Sequence, residues 1–146
     1  MTRSLMITGG AGFIGVNFVY HWANRHPEDR IVVLDALTYA GNRASLTPLE
    51  QSGRIAFVAG DICDAALVAK VMAGHAVDNI VHFAAESHVD RSITGPDAFI
   101  RTNIEGTHSL LAAARQAWLT GAGRDHRFHH VSTDEVYGSL DGGDPA

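Results

Sequence analysis

The chain has 146 residues, 46% hydrophobic and 18% charged, with a formal net charge of −5, nine histidines and one cysteine. That length buries roughly 68–70% of the unfolded surface, enough for one hydrophobic core, and the high apolar content excludes a disordered chain. Cys63 alone excludes an internal disulfide. Scattered basic residues, no apolar run of about 18 residues and no secretory leader argue against nucleic acid, membrane and export, so a small-molecule partner and a cytoplasmic setting are expected.

A short apolar run from Ser4 to Thr8 predicts the first strand and stops at a glycine cluster. Phe13 to Asn24 follows as a helix, with Ile14, Phe18 and Trp22 spaced four apart. Arg30 to Asp35 reads as the second strand. The stretch from Ala40 to Ser52 is weakly patterned, apart from Thr47-Pro-Leu-Glu50, which has the form of a capping box. A third strand at Ile55 to Ala59 leads to a helix over Asp64 to Met72, and a fourth strand is expected at Asn79 to Ala84. Pro96 to Trp118 predicts a long helix, with Pro96 and Asp97 suited to its first turn and apolar residues at three-to-four spacing. Phe128 to Thr133 is the fifth strand. It sends the adjacent His129 and His130 to opposite faces, and the other histidines follow no ligand spacing, so no metal site is expected.

Strands apolar nearly throughout are buried on both faces, as in parallel sheets covered by helices. Strict alternation of strand and helix predicts right-handed βαβ units in an α/β, doubly wound, three-layer sheet of the Rossmann type. Ligands of such sheets bind beyond the carboxyl ends of the strands.

At the first strand end, Gly10-x-Gly12-x-x-Gly15 overlaps Gly9-x-x-Gly12-x-x-Gly15 between strand and helix. The glycines permit a sharp turn and close approach of a pyrophosphate, whose charge the helix N-terminus would hold. Asp35, about 20 residues past Gly15, stands where a carboxylate accepts from both ribose hydroxyls of an adenosine and repels a 2′-phosphate. NAD is therefore preferred to NADP. Ala36 offers no cation for a phosphate, and Arg43 is the one residue that would spoil this reading. Asp61-Ile62 at the third strand end suits an adenine ring, although Asp61 or Asp64 reads equally well as a helix N-cap.

Beyond the glycine turn, several segments carry a more specific pattern: Asp35-Ala-Leu-Thr38-Tyr-Ala-Gly-Asn42, Asp61-Ile62, Phe83-Ala-Ala-Glu86-Ser87-His88-Val-Asp90-Arg91-Ser92, and Val131-Ser132-Thr133-Asp134-Glu135-Val-Tyr137-Gly138. Together they resemble the extended short-chain dehydrogenases/reductases that act on sugar nucleotides, and among these the 4,6-dehydratases. The resemblance runs over essentially the whole chain. It implies that Gly9, Gly12, Phe13, Ile14, Gly15, Asp35, Ala36, Leu37, Thr38, Asp61, Ile62, Ala84, Ala85, Glu86 and Thr102 contact NAD, and that Ser87 and Thr133 contact the hexose of dTDP-glucose.

Removing water from a sugar needs a base for a carbon-bound proton and an acid for the departing hydroxyl, work that two carboxyl groups in different environments can divide. By the resemblance, Glu135 would take the C5 proton, Asp134 would protonate the leaving C6 hydroxyl, and Thr133 would hydrogen-bond the C4 oxygen. Related epimerases and decarboxylases usually lack the acidic pair. The family's Tyr-x-x-x-Lys is absent: the residues four beyond Tyr20, Tyr39 and Tyr137 are Asn24, Arg43 and Asp141. The expectation is thus an incomplete NAD-binding domain over residues 1–146, with the C-terminal strands and substrate region missing and low activity alone. A related epimerase or decarboxylase, or a non-catalytic NAD-binding module, remains the alternative.

The resemblance also implies a homodimer. Ile100, Ile104, Leu111 and Trp118 would either serve that contact or pack on the sheet. Glu86, Asp90 and Arg91 would shape the mouth of the site, join a subunit contact or pair on the surface. An incomplete domain is expected to leave a sheet edge and apolar surface uncovered.

Overall fold

The computed structural model describes residues 2–120 and 125–138, the side chains of Val89, Asp134 and Glu135 excepted. Five strands, β1 (Ser4–Thr8), β2 (Arg30–Asp35), β3 (Ala56–Ala59), β4 (Asn79–His82) and β5 (Arg127–His130), form one parallel sheet in the order β3-β2-β1-β4-β5. The central strand, β1, is buried along its whole length. Its Ile7 pairs with Val33 on one side and Val81 on the other.

Alternation along the strands divides the apolar residues between two cores. Leu5, Ile7, Ile31 and Val33 pack with Val19 and Ala23 of α1 (Phe13–Arg25) and with Leu46. Met6, Val32, Leu34 and Ile80 face the other way, onto Val68 and Met72 of α3 (Ala65–Gly74) and Leu110 and Trp118 of α6 (Thr107–Leu119). Full burial of each such side chain is worth about 1.5–3 kcal/mol, which is why the strands read as continuous apolar runs.

Helix ends are satisfied locally. Arg54 donates to the carbonyls of Ala23, His26 and Asp29 at the C-terminus of α1, meeting acceptors that the helix leaves open. Asp64 is the N-cap of α3, accepting from Leu67 N at 3.0 Å.

Several expectations are corrected. The proposed capping box does not form: Thr47 already lies inside α2 (Thr47–Gln51), and Leu46 occupies the N-cap without a side-chain bond. The cause lies upstream, where Asn42 Oδ1 accepts from Ala44 N and starts a 3-10 turn over Arg43–Leu46, so the chain is helical before Thr47. The long helix is continuous but not uniform: α5 (Pro96–Phe99) runs into a π-helical stretch, Ile100–Gly106, before α6. A further short helix, α4 (Val89–Thr94), occupies the segment after β4, and a 3-10 turn spans Asp134–Tyr137. β3 begins at Ala56, since Ile55 N–H is taken by Leu49 O, whereas β4 stops at His82 and β5 ends at His130, where the chain leaves the sheet toward the loops beyond its carboxyl edge.

Of the apolar residues on the long helix, Trp118 belongs to the core and donates Nε1–H to Val77 O. Ile100, Ile104 and Leu111 stay exposed. On the α1 side of the sheet, Val81, Phe83, His129 and Val131 line an open groove with Phe18 and Trp22. Among the described residues no three His, Cys, Asp or Glu side chains could hold a metal ion, and no helix is long and apolar enough to cross a membrane.

Candidate functional site

The carboxyl ends of β1, β2, β3 and β4 surround one groove, and the described residues that follow β5 are not in its lining. At the end of β1, Gly9 adopts φ +67° and donates its N–H to Leu34 O, while Gly12 N donates to Gly9 O. A Cβ on Gly9 would stand 2.6 Å from Ala84 N, and one on Gly15 would stand 2.1 Å from Gly9 O. Both positions therefore require glycine, the first for turn and strand contact, the second for packing α1 beneath the turn. No side chain caps α1 and its first turn holds no acid, which leaves the positive helix end open to an anion.

Asp35, at the end of β2, is 8% exposed. Its Oδ2 accepts from Ala11 N and its Oδ1 from Leu37 N, both at 2.8 Å, so the carboxylate fastens the glycine turn to the loop that follows β2. The same loop is held again by Asn42 N donating to Ala11 O. Asp35, Ala36 and Thr38 line the groove with Ala40 and Gly41. Arg43 is engaged elsewhere: its guanidinium bonds both oxygens of Glu50 and lies over the Phe57 ring.

At the β3 end, Asp61 Oδ1 accepts from Cys63 N, and Oδ2 meets Arg101 at 3.1 Å across the groove edge. Ile62 is buried against Gly106 of the π-helical stretch, where a Cβ would stand 2.6 Å from its side chain. Burial raises the Cys63 thiol above its ordinary value.

The β4 end is built on a buried polar chain. Thr8 Oγ1 lies 2.6 Å from His82 Nδ1, and His82 Nε2 lies 3.0 Å from Thr107 Oγ1. Burial, with His130 nearby, lowers the His82 pKa to about 4, so the imidazole is neutral and joins β1, β4 and the start of α6. Beyond it, Asn103 accepts from Glu86 N at 2.8 Å and donates to Glu86 O at 2.9 Å. The wide π turn thus carries both this clamp and Thr102, which lines the groove with Phe83, Ala84, Ala85 and Glu86.

Of the residues singled out in the sequence, Gly9, Gly12, Asp61 and Ile62 also line the groove. Gly15 sits beneath it, and Phe13, Ile14 and Leu37 are exposed beside it. Ser87 is exposed between Glu86 and α4; Thr133 is exposed after β5, where Asp134 and Glu135 open the 3-10 turn. The side chains of those two acids lie outside the described residues. Sequence reasoning missed Leu34, Ala40, Gly41, Gly60 and Phe83 in the lining, and the His82 and Asn103 contacts. The available signal was an Asn and a Thr at 103 and 107 on an otherwise apolar helical stripe.

A parallel sheet in this order, with a glycine turn at β1 and a buried carboxylate at β2, defines a Rossmann-type nucleotide-binding fold. A family model described as GDP-mannose 4,6 dehydratase matches residues 6–145, and the chain belongs to that family. The chain is 54% identical over 139 residues to dTDP-glucose 4,6-dehydratase 1 of Escherichia coli K12, a match that takes in 93% of this chain and 38% of that protein. It is 50% identical over 137 residues to the dTDP-glucose 4,6-dehydratase of Mycobacterium tuberculosis H37Rv, with 94% and 38% covered. Among solved structures, dTDP-glucose 4,6-dehydratase of Streptomyces venezuelae, with NAD bound, superposes with a TM-score of 0.83 at 54% identity, covering 97% of this chain and 42% of that one. The UDP-glucose 4-epimerase of Brucella ovis, in complex with NAD, gives 0.80 at 30% identity, with 96% and 38% covered. The chain thus spans about two fifths of the length of the curated relatives it matches.

Proposed function

We propose that the chain binds NAD in the groove and carries part of the apparatus for 4,6-dehydration of dTDP-glucose. The observation that carries the cofactor reading is Asp35, buried and fixed by Ala11 N–H beside the glycine turn. Its two oxygens face the loop and the turn, which is where the hydroxyls of an adenosine ribose would be read. The glycine turn and the uncapped end of α1 would hold the pyrophosphate, and Asp61 and Ile62 would flank the adenine. Held by the glycine turn, Asp35 and Asp61, NAD would supply reversible hydride transfer to the glucosyl unit.

The chain's own residues would do the rest. Thr133 would hold the C4 oxygen, Glu135 would take the C5 proton once C4 is a ketone, and Asp134 would supply the proton that leaves with the C6 hydroxyl as water. Ser87 would contact the hexose. The exposed stripe of Ile100, Ile104 and Leu111 supports a homodimer contact on the outer face of the long helix. Relatives 50–54% identical to the chain support the dehydratase over the epimerase, as does the acidic pair after Thr133.

The test uses the chain in excess over dTDP-glucose, with NAD, so that a single slow turnover is followed through absorbance of reduced cofactor and formation of the 4-keto-6-deoxy product. Asp134→Asn is expected to leave C4 oxidation possible and to slow elimination, so that reduced cofactor accumulates. Product formation undiminished by that substitution would overturn the dehydratase assignment.

A further inference from the structure

Tyr39 and Arg91 meet across the groove. The Arg91 guanidinium carbon lies 4.0 Å from the centroid of the Tyr39 ring, although one residue belongs to the loop after β2 and the other to α4, after β4. β1 stands between those two strands, which sets them roughly 9–10 Å apart at the sheet. The contact therefore passes over the glycine turn that ends β1.

Both arms of this bridge belong to the groove. Thr38 and Ala40, on either side of Tyr39, line it, and so do Ala84 to Glu86, ahead of Arg91. Each arm is fastened at its root: Asn42 N–H holds Ala11 O on the β2 side, and Asn103 holds the main chain of Glu86 on the β4 side. Tyr39 is half exposed and Arg91 exposed, so the ring and the cation meet at the surface, each on a segment whose neighbouring residues line the groove. A cation over an aromatic face at an exposed site is a weak contact that opens and closes readily.

We propose that Tyr39 and Arg91 are positioning residues that form a strap over the bound dinucleotide and set its rate of exchange. This rests on the NAD reading above. The chemistry gives the strap a purpose: the hydride taken from C4 is returned at C6 of the same sugar, so a dinucleotide lost in its reduced form would strand the 4-keto sugar unreduced. A groove that stays closed through the turnover prevents this, and the contact must open for the dinucleotide either to arrive or to leave.

Stopped-flow fluorescence of NADH with the full chain tests the proposal. Tyr39→Ala and Arg91→Met are each expected to raise the association and dissociation rates together by about two- to fivefold, with little change in Kd. The double variant should do no more than either single one, and Tyr39→Phe, which keeps the ring, should match the wild type and show that position 39 tolerates substitution. Unchanged rates in both single variants, or a double variant whose effect is the product of the two, would overturn the strap. So would a loss of affinity confined to Arg91→Met, which would make Arg91 a plain phosphate ligand. Absence of NADH binding by the wild-type chain would instead overturn the NAD reading on which the strap rests. Far-UV circular dichroism confirms that each variant keeps its fold.

Discussion

Arg43 and Glu50 form a two-pronged ion pair, with Nη2–Oε1 at 2.6 Å and Nε–Oε2 at 3.2 Å, and the same guanidinium lies 4.6 Å from the centroid of the Phe57 ring. Arg43 was the residue able to contradict a preference for NAD over NADP. Its fork is filled by Glu50, whose carboxyl the hydrogen bond holds below its ordinary pKa. With Asp35 at the groove and Arg43 turned away, NAD is expected to bind at least about tenfold more tightly than NADP. Glu50→Ala, which frees the guanidinium, should narrow that gap by raising affinity for NADP. Titration of both nucleotides against wild type and variant checks this; an unchanged ratio would show that Arg43 cannot reach the 2′ position.

The buried imidazole of His82 makes stability depend on pH. Its folded pKa of about 4 lies below the ordinary 6.5, so the folded chain binds fewer protons than the unfolded chain between those values. The stability tied to this neutral group is complete above pH 6.5 and falls as pH drops toward 4, by about 3 kcal/mol in all. Urea unfolding at pH 7 and pH 5 is expected to show most of that loss in the wild type. His82→Gln should be less stable at pH 7, having lost one of the two Thr bonds, and should lose less on acidification. Equal pH dependence in the two proteins would assign the effect to other groups.

Glycine at 15 is expected to be irreplaceable for binding as well as for stability. A Cβ there meets Gly9 O and Gly10 Cα, main-chain atoms that can yield only by moving the turn itself. Gly15→Ala should cost about 1–3 kcal/mol from overpacking and abolish detectable NAD binding. Gly53→Ala is the control. Gly53 has φ +71° with nothing near its missing Cβ, so alanine costs about 1–2 kcal/mol through the left-handed backbone while binding is retained. Thermal unfolding together with NAD titration separates the two.

The parts of this site that could be read in the amino-acid order are those set by local backbone demands. A glycine turn between a strand and a helix, followed by an acid at the next strand end, is a pattern of local backbone and charge that can be read directly, and Gly9, Gly12 and Asp35 do meet at one groove. What escaped depends on partners far away in sequence. His82 reads as one more member of an apolar strand until Thr8, 74 positions earlier, is found beside it. The π-helical stretch escaped because seven residues are too few to separate its period from that of an ordinary helix. α4 escaped because its six residues carry a single apolar pair, Val89 and Ile93, too short a stripe to show a helical period. The bonds from Asp35 to Ala11 and Leu37 were equally invisible, since a carboxylate that awaits a ribose and one that ties a loop look alike in sequence.

The strand order has a consequence for the chain as it is made. β1 is synthesised first yet sits in the middle, paired with β2 on one side and with β4 on the other, its Leu5 opposite Asn79. Until about residue 82 has left the ribosome, β1 therefore exposes a flank of unpaired amide and carbonyl groups, and His82 is not yet there to meet Thr8. Closing that pairing spans some 74 positions, a loop that slows folding well below the rate of the local β1–α1–β2 unit. The nascent chain is thus expected to pass through a two- or three-stranded state in which the glycine turn exists but its β4 wall does not, and a nucleotide can be held only after the fourth strand arrives.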